Sequence, residues 1–233
     1  MTQRATVGAA RRALVGLGLA ALALSGCSAL TGAHGAAGGA TPGARTATTG
    51  SGAQSTSTDD PQDPARYAAD VVRYAREAGV DAQLVMAILY NESYKPHDAE
   101  FERAWQKMEP DAAFGVANMH RAAFDDTRRG RPFAHRSWDE LPDDPALAIE
   151  AEAWYLHDLR RRLPAKRSGR FTVDELCALG FNAGPGNMQA FARGVTPGPQ
   201  AADYLNQLRH NWGVAADVLA HPPAAPPGSG TAG

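Results

Sequence analysis

Read along its length, the chain is a run of amphipathic helical patterns placed between two segments with little to bury. Ala68, Val71, Val72 and Ala75 recur at helical spacing, which predicts a first helix over 64–78 with Gly79 as its stop. Asp81 is placed to cap a second, more apolar helix through Leu84, Val85, Ile88 and Leu89, ending near Asn91-Glu92. Ser93-Tyr94-Lys95-Pro96 follows, and proline forbids much continuation. Residues 95–114 are polar and irregular, a loop with a helical turn around 102–108 and room for a minor β-hairpin. A short helix is expected at 120–127.

The second half has stronger punctuation. Asp143-Asp144-Pro145 is an acidic cap followed by proline in the first turn, and the helix it opens carries Leu147, Ala151, Trp154, Tyr155 and Leu159. Arg160, Arg161 and Arg162 fall at its end, where cations favour the helix dipole. Thr172-Val173-Asp174-Glu175 reads as a capping box that opens a helix to about Phe181. Asn182-Ala183-Gly184-Pro185-Gly186 breaks it sharply, a short helix is expected at 187–192, and a last one spans 200–219 with Tyr204, Leu205, Leu208 and Trp212. No sustained alternation marks a sheet. The expected class is all-α, at most α+β.

The flanks differ in composition. Arg4, Arg11 and Arg12 precede a short apolar run from Ala13 to Leu24, and no acidic residue occurs before Asp59. A bilayer span needs about 20 apolar residues, so this run fits a signal peptide instead of a permanent helix. Residues 28–62 are Gly, Ala, Thr and Ser with a few prolines and no aromatic residue, and are expected to form a flexible tether. A Pro-rich tail covers 221–233. All seventeen aromatic residues fall between Tyr67 and Trp212, so one compact domain is expected over 63–220.

Charge and cysteine content narrow the function classes. Without residues 1–26 the chain has 20 basic and 25 acidic residues, a net charge near −5 that gives no reason to expect a nucleic-acid partner. Cys177 lies among Leu176, Ala178 and Leu179, where a small buried hydrophobe is expected. The seven histidines show no pair at helical ligand spacing and no His-Glu-x-x-His, so neither metal nor cofactor is expected.

The candidate chemistry centres on Glu92. It lies four residues after Ile88, three after Leu89 and seven after Val85, on or beside the apolar face of its helix and at the negative end of the dipole. Both settings disfavour an anion, as required of a carboxylic acid that protonates a glycosidic oxygen near neutrality. A glutamate at a helix end that simply points into water is the other reading of the same position.

Leu84 to Ser93, an apolar helix ending in Glu-Ser, resembles the catalytic helix of the SLT-type lytic transglycosylases and their goose-type lysozyme relatives. Three further segments follow in the family's order: Gly115-Val116-Ala117-Asn118 for Gly-Leu-Met-Gln, Phe181-Asn182-Ala183-Gly184-Pro185-Gly186 for Tyr-Asn-Ala-Gly-Pro-Gly, and Tyr204 at the head of the last helix. Between the first and second of these stands the helix start Asp144-Pro145. The resemblance covers residues 66–214. It implies a lysozyme-like helical domain with a groove for peptidoglycan glycan strands, acting as a monomer. Glu92 would be the acid and then the base as the muramyl 6-hydroxyl closes on C1 to a 1,6-anhydro end. Substrate contacts would come from Ser93, Gly115, Val116, Asn118, Met119, Phe181, Asn182 and Tyr204, with the Tyr204 hydroxyl approaching Glu92. Gly115 would let the backbone approach the sugar. Leu24-Ser25-Gly26-Cys27 resembles the bacterial lipobox, which implies a signal peptide over 1–27, a lipid on Cys27, and anchoring on the outer face of the cell membrane.

Departures from the family leave alternatives open. Asn118 is one methylene shorter than the family glutamine, Phe181 lacks the tyrosine hydroxyl, and the Glu92–Gly115 interval is long, as in goose-type lysozymes. A hydrolase of the same bond would use Glu109 or Asp111 to hold water. A catalytically weak, wall-binding lipoprotein is the third reading.

Overall fold

In this computed structural model the described residues are 63–94, 97–109 and 111–223. Cys27, the signal peptide, the tether and the tail from residue 224 lie outside them. Eight α-helices, two 3-10 turns (Pro64–Tyr67 and Trp138–Glu140) and one two-residue-per-strand hairpin make up the regular structure of the described residues. After a 3-10 turn at Pro64–Tyr67 come α1 (Ala68–Ala78), α2 (Ala82–Glu92) and α3 (Ala99–Met108). Strands β1 (Ala113–Phe114) and β2 (Met119–His120) pair antiparallel, Ala113 opposite His120 and Phe114 opposite Met119. Then follow α4 (Arg121–Thr127), α5 (Pro145–Arg161), α6 (Val173–Ala183), α7 (Pro185–Ala192) and α8 (Pro199–Ala220). None of the described helices is long and apolar enough to cross a membrane.

The helix ends form where local chemistry dictates. Asp81 accepts the Gln83 N–H, and Asp144 accepts the Leu147 N–H with Pro145 in the first turn. Thr172 and Glu175 close a reciprocal capping box, at 3.1 and 2.9 Å. Gly79 ends α1 in the left-handed conformation at φ 68°, a geometry that favours glycine.

Packing organises these pieces around α2. Leu84, Val85, Met86, Ala87, Ile88 and Leu89 are all buried, so α2 is apolar on every side and runs through the core. Each of its large side chains contributes on the order of 2 kcal/mol by leaving water. Helix α8 lies along α2, α1 packs on α5, and α6 bridges α5, α7 and α8. The α6–α7 approach depends on Gly180, where a Cβ would stand 2.8 Å from the Met188 sulfur. Cys177 is buried as expected, and burial pushes its thiol up to about 12.

Three expectations need correction. Val72 is not on the buried stripe of α1; Tyr74 and Ala78 take that role, and Val72 is 48% exposed. The polar stretch after Pro96 holds a full helix, α3, whose pattern is inverted. Glu102 and Gln106 point inward, while Phe101, Trp105 and Met108 are exposed. The hairpin exists but only its first strand falls in the loop expected to contain it; β2, at Met119–His120, lies beyond.

Candidate active site

The last turn of α2 carries two adjacent polar residues into the interior, Asn91 and Glu92, 7% and 8% exposed. Each is tied to α8. Asn91 donates its amide to the Tyr204 carbonyl at 3.0 Å and accepts from the Asn211 amide at 2.9 Å. At the other end of α2, Gln83 donates to the Trp212 carbonyl at 2.7 Å. These bonds fix the register of the two helices and place the Tyr204 hydroxyl 3.0 Å from Glu92 Oε1, to which it donates.

The other carboxylate oxygen is held from the hairpin. Asn118 donates its Nδ2 to Glu92 Oε2 at 3.2 Å and to the Glu92 carbonyl at 3.0 Å. Asn118 sits at φ 45°, a left-handed conformation that asparagine tolerates better than most residues. Its backbone N–H donates to the Gly115 carbonyl at 2.8 Å, closing the turn between the strands.

The turn has its own support. The Gly115 N–H donates to Glu102 Oε2 at 2.9 Å, and Glu102 Oε1 meets His97 Nδ1 at 3.0 Å. Gly115 stands at φ 73°, and a Cβ there would lie 2.8 Å from the Leu141 carbonyl oxygen. Close packing of the turn on Leu141 is by itself enough to require glycine here. Below, the Trp138 indole donates to the Met119 carbonyl at 2.8 Å.

Beside this cluster opens a groove of about 460 Å³, lined in part by Asn91, Ser93, Tyr94, Asn182, Asp203 and Tyr204. Its hydrogen-bonding groups are amides and hydroxyls, with Asp203 as the acidic side chain among them. Ser93 is exposed, and its hydroxyl donates to the Tyr90 carbonyl at 2.9 Å. Of the residues expected in one site, Glu92, Asn118 and Tyr204 meet directly, and Ser93 and Asn182 share the groove with Tyr204. The others play supporting parts. Met119 is buried with its carbonyl engaged, Val116 is half-buried against the core, and Phe181 packs on Tyr155 at 5.7 Å between ring centroids. Glu109 and Asp111 are exposed, and the Asp111 carbonyl meets His120 Nδ1 at 2.7 Å.

The electrostatics are acid-rich. The Tyr204 hydroxyl is held well above the usual phenol range, by burial first, then by the Glu92 charge and the bond to Glu92, and also by Glu152. It therefore keeps its proton and remains a donor. Glu152, on α5, is completely buried and also perturbed: burial, followed by the Glu92 charge, raises its carboxyl well above the ordinary value. Among the described residues no group of His, Cys, Asp and Glu is arranged to hold a metal ion.

Sequence reasoning missed Asn91, Glu102, Asn211 and Glu152. Glu152 had a signal: it falls three residues after Ile149, four before Leu156 and seven before Leu159, on the buried stripe of α5. No protein-family model matches this chain, and no curated protein sequence matches it significantly.

Proposed function

We propose that this chain is an exported, lipid-anchored lytic transglycosylase with a lysozyme-like helical domain, which cleaves the β-1,4 bond between N-acetylmuramic acid and N-acetylglucosamine in peptidoglycan. The observation that carries this reading is the placement of Glu92. One enclosed carboxyl is gripped on separate oxygens by a tyrosine hydroxyl and a carboxamide, beside a groove of amides and hydroxyls.

Such an arrangement suits one residue in two roles. Glu92 gives its proton to the glycosidic oxygen as the bond from C1 breaks, and the N-acetylglucosamine leaves with a free 4-hydroxyl. The Glu92 anion then accepts the proton of the muramyl 6-hydroxyl as that oxygen bonds to C1, and the acid is restored. Tyr204 and Asn118 donate to the two oxygens throughout, so the carboxyl keeps its orientation while its charge changes. Asn118 would serve the acid and not the substrate, consistent with its shorter side chain. The groove, mostly amides and hydroxyls with Asp203 as its acid, fits N-acetyl groups and sugar hydroxyls, which need donors and acceptors more than charge.

The test is product analysis. Purified protein and a Glu92→Gln variant are incubated with isolated sacculi, and the released muropeptides are weighed by mass spectrometry. Anhydro ends from the parent, with a loss of at least about 10²-fold in the variant, are expected for a general acid. Reducing ends would replace this reading with hydrolysis. Wall binding without digestion by either protein would reduce it to a scaffold.

A further inference from the structure

Among the described residues, Glu152 is the one buried acid for which the catalytic reading has no use. It is 0% exposed, on the core face of α5, among Ala148, Ile149, Ala151, Ala153 and Leu156. Neither of its carboxyl oxygens has a hydrogen-bond partner among the described residues. The ionisable groups that act on it, or on which it acts, are Glu92 from α2 and Tyr204 from α8. No cation is among them. Glu150, on the same helix, marks the contrast: it is partly exposed and feels Arg73 and Glu77 from the α1 side and Arg136 and Asp144 from the segment before α5. Of the other charged groups of α5, Asp158 pairs with Arg131 at 2.6 Å, His157 meets the Ala78 carbonyl at 2.7 Å, and Arg160 and Arg161 lie in the last turn, Arg160 acting on Asp174 and Cys177 of α6.

An anion cannot be kept in such a place without a cation or a donor, so Glu152 is neutral while the packing around it is intact. We propose that Glu152 sets an alkaline limit on this site: it and Glu92 cannot both be anions in one interior, so ionising Glu152 opens the α2–α5–α8 packing and separates Tyr204 from Glu92. As it bears on catalysis, the proposal rests on the reading of Glu92 given above; as it bears on the fold, it stands alone. The sign follows from linkage. The unfolded chain releases this proton near the ordinary carboxyl value of 4.5, and the folded chain only well above it. The stability Glu152 allows is therefore complete below that value and falls by up to tenfold in the folding constant per pH unit above it.

The experiment compares the full chain with Glu152→Gln, which keeps the shape and cannot ionise, by urea unfolding and near-ultraviolet dichroism from about pH 4.5 to 9. Wall-digestion rates are followed in parallel, each protein normalised to its own rate near pH 6. Expected is a parent folding constant that falls away from the variant's by up to tenfold per pH unit, and a normalised parent rate near pH 9 at least about fivefold lower. If Glu152→Gln does not fold, Glu152→Met takes its place. Parallel unfolding curves overturn the proposal, as do parallel rate profiles from two active proteins. Diverging unfolding curves with no digestion by either protein would sink the catalytic reading and leave this one standing.

Discussion

Two buried glutamates flank the Glu92 cluster, and they are opposites. Glu102, on α3, has each oxygen engaged, one by the Gly115 N–H and one by His97. Glu152, on α5, has neither engaged. Both are nearly inaccessible, at 3% and 0% exposure, so burial does not decide what an acid does. Partners do. A buried acceptor that meets donors fixes the shape of its surroundings, as Glu102 fixes the turn carrying Asn118. One without donors fixes nothing and makes its region depend on a proton.

The sharpest way to break this contrast is to make the same substitution twice. Glu102→Met leaves the Gly115 N–H without an acceptor and is expected to cost about 3 kcal/mol, measured by denaturant unfolding. Gly115→Ala strains the same turn against the Leu141 carbonyl at positive φ, for about 2 kcal/mol. If Glu102 acts by holding that turn, the two losses will sum to more than the double variant shows. Glu152→Met should go the other way, gaining about 1.5 kcal/mol near pH 7, because it replaces an unpartnered carboxyl with hydrocarbon of similar length. Since the folded carboxyl holds its proton well above the ordinary range, this gain must shrink as pH falls toward 4.5. A gain that grows on acidification would reverse the assignment of the two acids. The smallest effect is a control away from both: Thr172→Ala removes a helix cap and should cost about 1 kcal/mol.

How far these features could be read beforehand follows the range of the interactions behind them. The starts of α5 and α6 were legible because Asp144-Pro145 and Thr172…Glu175 carry their chemistry within four residues. The face on which Glu92 lies was legible because Val85, Ile88 and Leu89 define it, but its burial was not, since a glutamate at a helix end can as readily turn into water. Helix α3 was not. It turns Phe101 and Trp105 outward because Glu102 is drawn inward by an N–H thirteen positions ahead, and no local pattern announces that partner. Gly115 was singled out for backbone approach to a sugar, and its packing on Leu141 was not legible, since Leu141 comes against it only through the fold. Asn118 was placed as a substrate contact, and its bonds to Glu92 depend on a left-handed backbone that the residue type permits but does not require.

One further feature bears on how the domain can be handled. Ala65 and Tyr67, near the first described residue, and Leu219, Pro222 and Pro223, at the last, line the same surface groove. The two ends of the folded unit are therefore neighbours. A short Gly-Ser bridge could join them, and new termini could be cut in the exposed stretch at 165–170, giving a circular permutant with its helices in place. The same adjacency suits the domain to insertion as a cassette into a loop of another protein.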